Sequence, residues 1–134
     1  MQRAKLSDVD IIAEYLRSMY LELDPEDTID DWELFKSLAS TYIYSSYVFW
    51  DSRGFFIVKE ETPIVKRTTL WNGVAVYIKP EFRKSKALKE YYSFMFANFE
   101  GIIMGFTEVN SEHNKVLLKR HKLLGYVYGL NRQD

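Results

Sequence analysis

Apolar positions follow two different rhythms along this chain, and the change from one to the other marks the predicted elements. Val9, Ile12, Leu16, Met19 and Leu23 recur at helical spacing, which predicts an amphipathic helix with one buried stripe. Ser7 stands where a capping side chain is favoured, and Asp8 and Asp10 lie near the positive end of that helix. Asp24-Pro25-Glu26-Asp27 ends it, because proline lacks the N–H that the next helical bond needs. A second helix is expected between Ile29 and Ala39, burying Trp32, Phe35 and Leu38.

The pattern then shortens. Tyr47 to Trp50 and Phe55 to Lys59 predict strands around a hairpin turn at Asp51-Ser52-Arg53-Gly54. Pro63 interrupts the run that continues to Leu70, which predicts an edge strand or a loop. Asn72-Gly73 reads as a turn ahead of a strand from Val74 to Ile78. Pro80 to Ser85 leads into a third helix with Leu88, Tyr91, Tyr92, Met95, Phe96 and Phe99 inward, and Gly101 stands at its end. Ile102 to Val109 predicts a strand. Asn110-Ser111 caps a fourth helix that stops at Gly125, and Tyr126 to Leu130 closes the chain as a strand. With a short first strand at Gln2 to Lys5, the order predicts an α/β (α+β) fold with a mixed central sheet.

At 134 residues, 1–134 is expected to be a single domain with a real core. Aromatic residues make up 16%, so that core is built from Tyr and Phe as much as from aliphatic side chains. The chain has no cysteine, which excludes disulfides, thiolate metal sites and a cysteine nucleophile. His113 and His121 form no metal-ligand spacing with other residues, so no metal is expected. No signal-peptide pattern opens the chain and no long apolar run suits a membrane, so a cytoplasmic protein is expected.

Charge is unevenly placed. Residues 1–50 hold four basic and ten acidic side chains, net −6, whereas residues 79–122 hold nine basic and five acidic ones, net +4. A local basic surface on a near-neutral chain suits a small anionic ligand better than nucleic acid. Arg83, Lys84 and Lys86 cluster where the third helix begins. Lysine and arginine oppose the helix dipole there, so an anion at that end makes better sense of them.

Three pieces stand in the order and spacing of one family. Val74-Ala75-Val76-Tyr77-Ile78-Lys79-Pro80-Glu81-Phe82-Arg83 is a strand running into a proline turn and an arginine. A helix follows it directly. Asn114 then precedes Leu124-Gly125-Tyr126 across a helical stretch, and Arg3-Ala4 with Asp8 opens the chain ahead of an amphipathic helix. Together these resemble the GNAT (GCN5-related) N-acetyltransferases over nearly the whole chain, in a compact form similar to small stand-alone members of bacteria and tailed phages. The resemblance implies a mixed sheet flanked by roughly four helices. It also implies transfer of acetyl from acetyl-CoA to a primary amine, on a small molecule or a protein, by direct attack. A homodimer is among the assemblies that the resemblance allows.

What the resemblance implies can be placed residue by residue. Val76, Tyr77 and Ile78 would hold the cofactor through backbone groups, and Arg83, Lys84, Ser85, Lys86, Ala87 and Leu88 would bind its pyrophosphate. Asn114 would lie along it. The family's general acid is a tyrosine four residues before the helix-ending glycine, a position held here by His121, whose imidazole can carry a proton at neutral pH. Glu108 is the carboxylate available to contact the amine. Two positions depart from the pattern: Lys86 and Leu88 stand where the family's phosphate loop has glycines. Those departures favour a rival reading, a catalytically inactive GNAT-fold interaction or structural domain that uses Trp50, Trp71 or Tyr128 at a protein interface.

Overall fold

The computed structural model of the chain describes residues 1–23, 31–61 and 70–104. Helix α1 spans Val9–Leu23 and α2 spans Trp32–Ser45. The strands are β1, Gln2–Arg3; β2, Tyr47–Asp51; β3, Gly54–Glu61; β4, Leu70–Ile78; and β5, Ile103–Met104, with α3, Ala87–Asn98, between the last two. The sheet runs in chain order, antiparallel from β1 to β4, and closes on a parallel β4–β5 pair. Parallel neighbours need a crossover, and α3 supplies it.

The α/β (α+β) class with a mixed sheet predicted from the pattern is the architecture observed. Helices α1 and α2 cover one face, where Ile12, Tyr15, Leu16, Phe35 and Ile43 pack with Val48, Phe55, Ile57 and Tyr77. Helix α3 covers the other, where Tyr91, Tyr92 and Met95 meet Phe56, Val58 and Ile78. The run Phe55-Phe56-Ile57-Val58 is unbroken because β3 is central and loses solvent on both faces. Burying each such side chain contributes roughly 1.5–3 kcal/mol.

Local physics explains where elements begin. Asp8, rather than Ser7, caps the first turn by accepting the Lys5 N–H at 2.8 Å. Asp31 caps α2 by accepting from Leu34 N. Helix α2 runs six residues past Ala39, since nothing in Ser40–Ser45 breaks it. The hydroxyls of Thr41 and Ser45 donate back to the carbonyls of Ser37 and Thr41. Its buried stripe is Phe35, Ala39 and Ile43, so Leu38 sits off the stripe and is 39% exposed.

Asn72-Gly73 is no turn. Both residues lie inside β4, where Asn72 pairs with Lys59 and Ile103 and Gly73 pairs with Val58 and Met104. A local turn preference gives way to two ladders of hydrogen bonds. Gly101 does end the α3 region as expected, in a left-handed conformation at φ 69° that glycine adopts without strain. The stretch around Pro63, the fourth helix and the last strand fall outside the described residues. Among the described residues no helix is long and apolar enough to cross a membrane.

Trp71 and Trp50 are half-buried and packed against the two cores. Trp71 sits edge-on to Phe99 and Tyr47, with ring centroids 5.0 and 5.5 Å away, and Trp50 packs against the core beneath α1 and α2. Tyr128 lies outside the described residues.

Candidate acyl-donor site at the end of strand β4

Strand β4 carries an irregularity. Its pairing with β3 runs Val76 to Phe56 and Ala75 to Ile57, then jumps to Gly73 opposite Val58, leaving Val74 as the extra residue. A bulge of this kind bends a strand and frees main-chain groups from the ladder. Before it, Asn72 and Gly73 are tied to β5; after it, Ala75 to Ile78 run on toward α3.

Past Ile78 the chain makes a 3-10 turn over Pro80–Phe82 and then enters α3. Proline suits the first helical position because the N–H it lacks would be unpaired there anyway. The loop is closed by its own groups. Ser85 Oγ donates to the Phe82 carbonyl at 2.5 Å and accepts the Ala87 N–H at 3.2 Å. Ser85 thus satisfies the Ala87 N–H from just outside the N-cap of α3, which is Lys86. The first helical bond runs from Glu90 N to Lys86 O, so the N–H groups of Leu88 and Lys89 have no acceptor within the helix. They stand at its positive end, which the exposed Lys84 and Lys86 precede in the chain.

The two missing glycines are accommodated. Lys86 has φ −78° and ψ 5°, which side-chain-bearing residues adopt freely. Leu88 lies within α3 and packs against the core beneath it. Neither position needs the left-handed backbone that glycine alone would supply.

Arg83 is placed differently from the expectation. Its Nε donates to the Ile78 carbonyl at 2.9 Å, a terminal nitrogen pairs with Glu22 of α1, and its guanidinium lies 5.7 Å from the Tyr77 ring centre. The Tyr77 hydroxyl donates to the other Glu22 oxygen at 3.0 Å. Arg83 thus ties the end of β4 to α1, and Lys84 and Lys86 are the cations left at the helix end. Val76, Tyr77 and Ile78 stand at the end of β4 that leads through the turn into the loop from Arg83 to Leu88, and Tyr77 and Ile78 are buried. Glu108, Asn114 and His121 lie outside the described residues.

A second group was not foreseen. In the β2–β3 turn, Asp51 accepts from Arg53 N, Nε and Nη2 and from the Tyr91 hydroxyl, while Arg53 Nη1 reaches Glu90 at 2.6 Å. Burial alone would push the Asp51 carboxyl up, but hydrogen bonds from Arg53 and Tyr91 outweigh it and hold it below the ordinary carboxylate range. The only sequence signal was the turn itself. Asp51, Glu90 and Tyr91 meet across separations no local pattern encodes.

The phenols around this end of the sheet respond to the same environment. Tyr15 donates to the Asp51 carbonyl and is pushed up to about 12, by burial first and then by the Asp51 charge. Burial also raises Tyr77, Tyr91 and Tyr92. A folded-state value above the unfolded one near 10 gives stability that is complete below pH 10 and lost as pH rises toward 12. Alkaline unfolding is therefore expected in that window, with these tyrosines ionising only as circular dichroism reports loss of structure. Ordinary titration of all ten tyrosines before unfolding would contradict the burial described.

Among the described residues no group of three or more His, Cys, Asp or Glu side chains could hold a metal. No protein-family model and no curated protein matches the chain. Solved structures do. A possible acetyltransferase from Clostridium difficile 630 matches with TM-score 0.72 at 12% identity, over 97% of this chain and 95% of that one. A predicted acetyltransferase from Clostridium acetobutylicum, solved with acetyl-CoA, gives 0.69 at 11%, over 97% and 94%. The ribosomal-protein-alanine N-acetyltransferase of Brucella melitensis biovar Abortus 2308 gives 0.67 at 14%, over 98% and 96%. The sheet with its helical layers is the fold these structures share. That fold is the GNAT acetyltransferase fold.

Proposed function

We propose that this chain is an N-acetyltransferase that moves acetyl from acetyl-CoA to a primary amine. One observation carries the reading: the bulged strand β4 leads through a turn to a helix N-terminus that the exposed Lys84 and Lys86 immediately precede. That is the chemistry a pyrophosphate requires. The solved neighbour that holds acetyl-CoA and the one named for alanine N-acetylation support the same reading.

In this reading the residues divide the work. Leu88 and Lys89 N–H groups, with Lys84 and Lys86, hold the pyrophosphate, and main-chain groups from Val74 to Ile78 receive the pantetheine arm by strand addition. Arg83 acts on this site by fixing the end of β4 against Glu22. Acetyl-CoA, when bound, supplies a thioester carbonyl open to attack by nitrogen. His121 would be the residue that supplies a proton for the thiolate leaving group, and Glu108 the one that would take up the proton of the amine. Proximity of amine and thioester supplies much of the rate.

Calorimetric titration with acetyl-CoA and CoA tests this. Saturable binding is expected, with a raised melting temperature in cofactor. The Lys84→Ala, Lys86→Ala double variant should bind roughly three- to tenfold more weakly and with a shallower salt dependence, since exposed cations act through screened attraction. No heat and no thermal shift at millimolar cofactor would overturn the enzyme reading in favour of an inactive GNAT-fold interaction domain.

A further inference from the structure

We propose that Asp51 and Arg53, in the β2–β3 turn, are positioning residues that set the aperture of the anion site at the head of α3. The inference rests on the reading that this site binds the pyrophosphate. It goes beyond that reading by assigning control of the site to a turn outside it.

The geometry is a double attachment. The loop from Lys79 to Lys86 is fastened at its start by Lys79 N donating to the Arg53 carbonyl at 2.8 Å. Just past its end, in the first turn of α3, Arg53 Nη1 donates to Glu90 at 2.6 Å and Asp51 Oδ1 accepts the Tyr91 hydroxyl at 2.5 Å. The end of β2 and the turn after it therefore hold both flanks of the loop. The loop residues Lys84, Ser85 and Lys86 are themselves exposed, so their placement depends on those flanks.

The turn is rigid enough for the task. Asp51 grips Arg53 through Nε at 3.2 Å and Nη2 at 2.9 Å, and its other oxygen accepts the Arg53 backbone N–H at 2.8 Å. From the opposite side Tyr15 of α1 donates to the Asp51 carbonyl at 2.7 Å. The Arg53 guanidinium also lies 5.4 Å from the Tyr91 ring centre. Anion binding by helix N–H groups depends on where the loop cations and the first turn stand relative to one another. Loosening either flank lets them drift apart.

The test compares two ligands. CoA carries the pyrophosphate; pantetheine lacks it and would meet only the β4 strand. Arg53→Met and Glu90→Gln are expected to weaken CoA binding roughly two- to fivefold while leaving pantetheine binding unchanged. Arg53→Lys, which keeps a cation facing Asp51 and Glu90, should fall between Arg53→Met and the parent chain. Glu90→Gln alters an exposed side chain, so it reports even if Arg53→Met fails to fold. Equal losses for both ligands, or no loss of CoA affinity, would overturn the positioning role while leaving the cofactor reading in place. A parent chain that binds pantetheine and CoA equally would show that no pyrophosphate site exists, and one that binds neither would remove the cofactor reading itself.

Discussion

Gly54→Ala is expected to destabilise the chain by about 3–5 kcal/mol, in the range reserved for severe overpacking. A Cβ at Gly54 would stand 2.0 Å from the Tyr77 carbonyl oxygen and 2.9 Å from the Ile78 Cα. Both obstacles are backbone of β4, so no side chain can swing aside. Relief requires parting β3 from β4 where Gly54 pairs with Ile78 and where Lys79 N bonds to the Arg53 carbonyl. The loss should register as a lower urea midpoint. A midpoint equal to that of the parent chain would mean that the strands separate here at little cost, and the close approach would carry no weight.

Phe56→Ala is expected to cost about 3–5 kcal/mol for a different reason, the removal of a large ring from the core beneath α3. Phe56 is fully buried. It stacks on Phe49 at 5.3 Å between ring centres and meets Phe94 and Tyr91 at 5.9 and 6.1 Å. Aromatic neighbours of this size collapse poorly into a void, so most of the transfer and cavity cost should remain. Equilibrium unfolding with an unchanged denaturant slope would give the value. A loss under about 1 kcal/mol would show that the rings repack.

The two effects also mark what could be read from the chain and what could not. The Phe55–Val58 run and the Asp51–Gly54 turn announced β3 and its hairpin, because burial on both faces and turn chemistry are local signals. The stripe from Ile12 to Leu16 announced α1 in the same way. The strand, proline turn and helix from Val74 onward were legible too, and with them the backbone part of the candidate site. Asn72-Gly73 misled because a dipeptide preference says nothing about the ladders that flank it. The partner that Arg83 finds, Glu22, was not legible because it lies on another element. The Asp51–Arg53–Glu90–Tyr91 group was invisible for the same reason: each contact spans two elements, and only the fold brings them to one place.

Val74 gives β4 the character of a strand spliced from two reading frames. Trp71 and Gly73 belong with the α3 side at odd positions, whereas Val76 and Ile78 serve that side at even ones. A chain one residue shorter at this point would run from Gly73 straight to Ala75, opposite Val58 and Ile57, and every other residue of β4 would keep its partner and its face. The extra residue therefore puts a bend into β4 and leaves the register on either side of it intact.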